Sequence, residues 1–300
     1  LNSFARRLLP ALLFAASLAA AQAEPLPAGR SQRVLDLGGT AIEVHTYRPE
    51  KYAGAGVIVS LHGLARNAAG YRDSTIPIAE RHGLLVVAPL FDRECFPTWR
   101  YQAGGIVRDQ RVEGAFNVEP EAEWTGRLLL AIVAAVRAAE GRPDLPYFFI
   151  GHSAGGQALS RFAAFVPNEA RRIVIANPST YLWPTRAERF PYGFGGLPES
   201  MANDEAIRRY LAQPITILLG TADVKRDANL NVGPGAERQG ANRHERGWNA
   251  FRAAQQAARE NGWPFNWRLV EVPGVGHSAR RMYAEPQAAQ ALLAPEVTTR

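Results

Sequence analysis

Cysteine is nearly missing from this chain. Cys95 is the only one in 300 residues, so no intramolecular disulfide can form and stability has to come from an apolar core. A free thiol at the surface would be a liability, so Cys95 is expected to be buried and inert. Its neighbours Asp92, Arg93, Glu94 and Phe96 include no histidine to activate it. Lysine is almost as scarce: Lys51 and Lys225 stand alone, and arginine carries the rest of the positive charge. The balance of 34 basic against 28 acidic residues gives a net charge of +6. That excess is modest, and no basic run or basic–aromatic motif of a nucleic-acid binder accompanies it, so no nucleic-acid partner is expected. There is no His-x-x-x-His pair, no cysteine cluster and no phosphate-binding glycine loop, so no metal and no cofactor are expected.

Long apolar runs are also lacking after the first residues. Arg6 and Arg7 precede the apolar run Leu8–Ala20, and Ala21-Gln22-Ala23 is a small-x-small cleavage site. This is the layout of a signal peptide over residues 1–23, and its apolar run is shorter than the roughly 18–20 residues of a membrane span. The expectation is a periplasmic or extracellular protein with no stable membrane insertion after processing. Residues 24–300 would then form a single domain.

What is present alternates. Arg33–Leu37 and Ala41–Tyr47 flank Gly38-Gly39 as an opening hairpin. Strands are expected at Val57–Leu61, Leu84–Pro89, Tyr147–Ile150, Arg172–Ala176, Ile215–Leu219 and Trp267–Val272. Helices are expected at Ile76–His82, Pro120–Ala139, after Ser153, at Trp248–Glu260 and at Pro286–Leu293. In the second of these, Trp124, Leu128, Ile132 and Val136 recur on one face. Strands separated by helices imply an α/β fold with about eight strands, a mostly parallel sheet and helices on both faces. Three segments break the rhythm: 91–117, 177–200 and 225–246. Each follows the carboxyl end of a strand, where open α/β sheets place ligands, and together they would wall a cleft.

Residues 147–156 read Tyr-Phe-Phe-Ile-Gly-His-Ser-Ala-Gly-Gly. A strand running into Gly-x-Ser-x-Gly and then a helix presents the serine on a sharp turn, with glycines where strand and helix pass closely. Ser153 is therefore the candidate nucleophile. Its base has to be a histidine. His277, in Gly274-Val275-Gly276-His277-Ser278 just past the last strand, is the candidate, on a turn expected to be flexible. His244 stands in reserve, His45 and His82 read as surface or packing residues, and the His152 side chain is expected to leave the elbow in another direction. The orienting acid should follow the preceding strand, where Asp223 closes Leu219-Gly220-Thr221-Ala222-Asp223, with Asp227 as its rival. The oxyanion needs two backbone N–H donors. Ala154 and Leu64 are the candidates, with Gly63 as the alternative to Leu64 and His62 as support for that loop. Arg66, Tyr181 and Trp183 are candidate substrate contacts.

The order Ser153, Asp223, His277, each after a strand, resembles the α/β-hydrolase superfamily. Ser60-Leu61-His62-Gly63 and Gly151-His152-Ser153-Ala154-Gly155-Gly156 are similar to the bacterial polyhydroxybutyrate depolymerase and feruloyl esterase group. That group often carries Cys after the His-Gly pair and Leu before the serine, where this chain has Leu64 and His152. The resemblance implies an α/β-hydrolase fold and an exported serine hydrolase that cleaves an ester, a polyester included, through an acyl-enzyme on Ser153. Its partner would be a small-molecule or polymeric acyl substrate. An amide or polyamide such as poly(aspartic acid) is the alternative, drawing on Arg226, Arg238, Arg243 and Arg246, whose other reading is salt bridges and loop surface. An acyltransferase shares the acyl-enzyme, and a non-catalytic binding protein could share the fold.

Overall fold

The expected alternation becomes one sheet. The computed structural model describes residues 24–293; the signal-peptide reading of residues 1–23 lies outside the described residues. The opening hairpin pairs β1 (Gly29–Asp36) with β2 (Ala41–Arg48). Then follow β3 (Val57–Leu61), β4 (Leu85–Pro89), β5 (Tyr147–His152), β6 (Arg172–Ala176), β7 (Ile215–Gly220) and β8 (Arg268–Val272). Their spatial order is β1-β2-β4-β3-β5-β6-β7-β8. The β1–β2 and β2–β4 pairs are antiparallel and all the others are parallel. Central strands β3, β4, β6 and β7 are buried at every position, which explains why they read as near-continuous apolar runs rather than alternating ones.

Alternate residues of β3, β5, β6 and β7 feed two cores. Val57, Val59, Leu61 and Phe149 pack with the helices Thr125–Ala139, Ala154–Phe165 and Arg243–Asn261 on one face. Ile58, Ile150, Val174 and Leu218 pack with Ala68–His82, Ala279–Ala284 and Pro286–Leu293 on the other. Helices therefore cover both faces, as expected.

Several boundaries differ, each for a local reason. The helix expected at Ile76 begins at Ala68, where the Asn67 side chain accepts from the Gly70 N–H. Its first turns bury Arg72, Ser74 and Thr75 and so carry no apolar stripe. The helix expected from Pro120 is broken: Glu121–Glu123 is a single tight turn, Trp124 is extended at φ −67° and ψ 137°, and the helix proper starts at Thr125. Trp124 Nε1 donates to Glu119 O at 2.8 Å and fixes that break. The helix expected at Trp248 begins at Arg243, so the segment 225–246 is part helix. Short helices Thr98–Tyr101, Asp204–Leu211, Pro234–Glu237 and Ala279–Ala284 stand where none was expected.

Cys95 corrects another expectation, for it is exposed. Phe91 and Phe96 take the buried positions of that segment, and Asp92 Oδ1 accepts from the Cys95 N–H at 2.8 Å, a turn that rolls the thiol outward.

Candidate active site

The strand ends bring Ser153, Asp223 and His277 into one line. Ser153 sits between β5 and the helix Ala154–Phe165 at φ 57° and ψ −117°, a strained backbone that only its surroundings can hold. Those surroundings leave no room for side chains. A Cβ at Gly151 would come within 2.5 Å of Gly155 O, and one at Gly155 within 2.6 Å of Leu61 O. The Ser153 N–H donates to Ala176 O at 2.9 Å, pinning the elbow to β6.

His277 Nε2 lies 3.1 Å from Ser153 Oγ, and His277 Nδ1 lies 2.7 Å from Asp223 Oδ2. Asp223 is 2% exposed. The turn that carries His277 is not loose, despite its glycines. Ala222 N–H donates to Val275 O, Thr221 N–H donates to Val272 O and Gly274 N–H donates to Thr221 Oγ1. Gly220 makes this approach possible, because a Cβ there would lie 2.3 Å from Val275 O. The segments after β7 and β8 are one stitched unit.

The rival residues are occupied elsewhere. Asp227 forms a two-pronged ion pair with Arg243 at 2.8 and 2.9 Å, which holds its carboxyl down to about 2. Arg243 is fully buried at the start of its helix, and Nη1 also stands 3.6 Å from Asp223 Oδ1. One buried cation thus lies behind the carboxylate that faces His277. His244 Nε2 meets Glu271 Oε1 at 2.7 Å. His45 pairs with Glu43, and His82 is exposed. The His152 ring packs 4.4 Å from the His277 ring, centroid to centroid, and its Nδ1 meets the Tyr71 hydroxyl at 3.1 Å. Burial pushes its pKa well below the ordinary value, with the nearby His277 and Arg243 adding to the effect. It is a neutral shelf under the imidazole.

Neither the Leu64 N–H nor the Ala154 N–H has a hydrogen-bond partner among the described residues, and the Gly63 N–H is likewise unpaired. Gly63 lies against Ser153, since a Cβ there would be 3.6 Å from Ser153 Cβ and 2.7 Å from the Tyr71 hydroxyl. His62 braces this loop from inside: Nε2 accepts from the Phe91 N–H at 3.0 Å, and Nδ1 meets Gly63 O at 2.9 Å. Burial lowers its pKa to about 4, so it is neutral at pH 7.

Ser153 and His277 open into a cavity of about 310 Å³ bordered by Leu64, Asn67, Tyr71, Asn229 and Arg280. None of the three expected substrate contacts borders it. The Arg66 guanidinium donates to Phe91 O and Phe96 O at 2.9 and 2.8 Å and lies over the Tyr101 ring. Tyr181 is buried, and Trp183 packs against the core. The four loop arginines are also committed. Arg226 and Arg246 meet Glu237, Arg238 meets Glu188, and Arg243 meets Asp227. Residues that sequence reasoning missed are Tyr71, Asn229 and Arg280, and it missed the place of Arg243 behind Asp223. For Arg243 there was a signal: Asn242 followed three residues later by Glu245 is a helix-start pattern, and Asn242 Oδ1 does accept from the Glu245 N–H.

No protein-family model matches the chain, and no curated protein matches it at a significant level. Solved structures do. LpqC, a poly(3-hydroxybutyrate) depolymerase from Bordetella parapertussis, is 36% identical with a TM-score of 0.79, over 88% of this chain and 90% of that one. Poly(aspartic acid) hydrolase-1 from Sphingomonas sp. KT-1 is 32% identical with a TM-score of 0.80, over 88% of this chain and 98% of that one. MPT51 from Mycobacterium tuberculosis shares the fold at 14% identity and a TM-score of 0.55, over 88% of this chain and 97% of that one.

Proposed function

This chain belongs to the α/β-hydrolase superfamily, and we propose that it is an exported serine hydrolase that cleaves an ester bond in a small-molecule or polymeric acyl substrate. The observation that carries this reading is the line Ser153 Oγ–His277 Nε2–His277 Nδ1–Asp223 Oδ2, at 3.1 and 2.7 Å. Ser153 Oγ attacks the acyl carbonyl while His277 Nε2 takes its proton. Asp223 accepts from His277 Nδ1–H, selects the tautomer and stabilises the imidazolium. The Leu64 and Ala154 N–H groups receive the oxyanion. His277 then protonates the leaving alcohol, and water, deprotonated by the same imidazole, releases the acyl group from Ser153. No cofactor enters these steps. Export is proposed from Arg6-Arg7, the apolar run Leu8–Ala20 and Ala21-Gln22-Ala23; among the described residues no helix is long and apolar enough to cross a membrane.

A second reading, hydrolysis of a polyamide, is favoured by the 32% identity to a poly(aspartic acid) hydrolase. It uses the same residues with an amine as leaving group. Turnover of p-nitrophenyl butyrate by wild type and Ser153→Ala tests the shared chemistry. Loss of turnover with unchanged circular dichroism is expected, and retained turnover would refute the mechanism.

A further inference from the structure

Arg161, Arg243 and Arg246 head the largest fully buried side chains of the protein. Burying a guanidinium is costly unless its charge is met. Arg243 meets Asp227 and faces Asp223, and Arg246 meets Glu237. Arg161 meets no carboxylate among the described residues. Its partners are Gln157 O, Thr180 O, Thr180 Oγ1 and Pro191 O, all neutral oxygens, and its Nε has no partner. Burial lowers its pKa only to about 10, so the charge persists at pH 7.

This uncompensated charge borders a second cavity, of about 320 Å³. Leu64 and Asn229 line both this cavity and the one above Ser153, so the two are neighbours across that pair. The second cavity is walled by residues from 98–110, 179–192 and 228–231, the three segments whose positions suggested a cleft. Gln157 and Arg161 complete it from the helix that starts at Ser153, which places Arg161 two turns, about 12 Å, along the axis from the nucleophile. Gln157 Oε1 accepts from Thr180 Oγ1, and its amide NH₂ has no partner among the described residues. Among the described residues no Asp or Glu lines either cavity.

We propose that the cavity beside Arg161 is a subsite for an anionic group of the substrate, a carboxylate carried on the chain beyond the scissile bond. Arg161 supplies the field, the Gln157 amide supplies a free donor, and none of the described lining residues is an acid that would repel the anion. This inference rests on the serine-hydrolase reading of Ser153. It selects carboxylate-bearing chains, whether the bond cut is ester or amide.

The test compares matched esters on wild-type enzyme. One pair carries the group on the acyl side: the p-nitrophenyl hemiester of adipic acid, and its isostere with a terminal isopropyl group in place of the carboxylate. The other carries it on the alcohol side: a linear hydroxybutyrate dimer as free acid, and as methyl ester. In at least one pair kcat/KM should favour the carboxylate member by roughly tenfold. Arg161→Met should bring that ratio toward one, and Gln157→Leu should lower it if Arg161→Met fails to fold. Ratios at or below one in both wild-type pairs, with the neutral members still turned over, overturn the subsite and leave the hydrolase reading intact. No turnover of any ester, and no fluorophosphonate adduct on Ser153, overturn the reading beneath it.

Discussion

Around Ser153, Asp223 and His277 the chain is stitched by its own main chain. Ser153 N–H reaches β6, Ala222 and Thr221 N–H reach the segment after β8, and Gly151, Gly155 and Gly220 sit where no Cβ fits. In the walls of the cleft arginine side chains tie loop carbonyls together. Arg66 holds Phe91 O and Phe96 O, Arg161 holds Thr180 O and Pro191 O, Arg189 holds Val112 O and Gly114 O, and Arg246 holds Ser179 O, Asn231 O and Gly240 O. A chain with one cysteine cannot cross-link its loops, and here charge-assisted hydrogen bonds to carbonyls, each about 1.5–3 kcal/mol, order them instead. The floor is specified by residues that are absent or small, the walls by residues that are long and charged.

The floor should be the less forgiving of the two. Asp223→Asn should lower kcat/KM on the scale of about 10⁴, as loss of a triad acid does. Asp227→Asn should cost far less, because it loses an ion pair to Arg243 and no contact with His277. Steady-state kinetics of the two variants would reverse this order if Asp227 were the acid. Gly220→Ala pushes a Cβ against Val275 O at 2.3 Å. It should destabilise by at least the about 1–3 kcal/mol of ordinary overpacking and lower kcat by displacing His277, to be read by denaturant melts alongside esterase rates.

The walls should give a different pattern. Arg246→Met removes ties to Ser179, Asn231 and Gly240 and leaves Glu237 with Arg226 alone. A stability loss of about 3 kcal/mol is expected, with KM for a polymeric substrate rising more than kcat for a small ester falls. Equal effects on both would erase the distinction between floor and walls.

Acid should weaken the floor by a definite sign. His62 and His152 are held neutral by burial, His62 with its pKa near 4, whereas in the unfolded chain both titrate near 6.5. Their contribution is complete above about pH 6.5 and is lost as pH falls through that window toward 4 and below. Asp227, held down to about 2, keeps its pair with Arg243 throughout that range. Melting temperature should therefore drop between pH 6.5 and 4, and a flat profile would deny both histidines their role. The smallest effect is expected of Cys95→Ser, an exposed position in a turn, where stability should move by no more than about 0.5 kcal/mol.

The same contrast decides what could be read from the chain. Val57–Leu61, Arg172–Ala176 and Ile215–Gly220 are legible because strands buried on both faces are mostly apolar, with Ser60, Arg172 and Thr216 as the polar members. Ser153 is legible as a candidate because Gly151 and Gly155 mark a crossing too tight for side chains, and strand order points to Asp223 and His277 as its candidate partners. The walls were opaque. Their packing uses arginines such as Arg161, Arg243 and Arg246, fully buried residues that any hydropathy pattern assigns to the surface. For that reason the helix at Arg243 began earlier than its apolar face, and Arg66 looked like a substrate contact while it is a tie between loops.

The central claim is that Ser153 is activated by His277. The direct measurement is the rate of fluorophosphonate labelling, with the adduct located by peptide mass spectrometry, in wild type and His277→Gln. A single adduct on Ser153, formed in wild type and slowed by orders of magnitude in His277→Gln, is the predicted result. Labelling of Ser153 at the same rate in both, or of another serine, would contradict it.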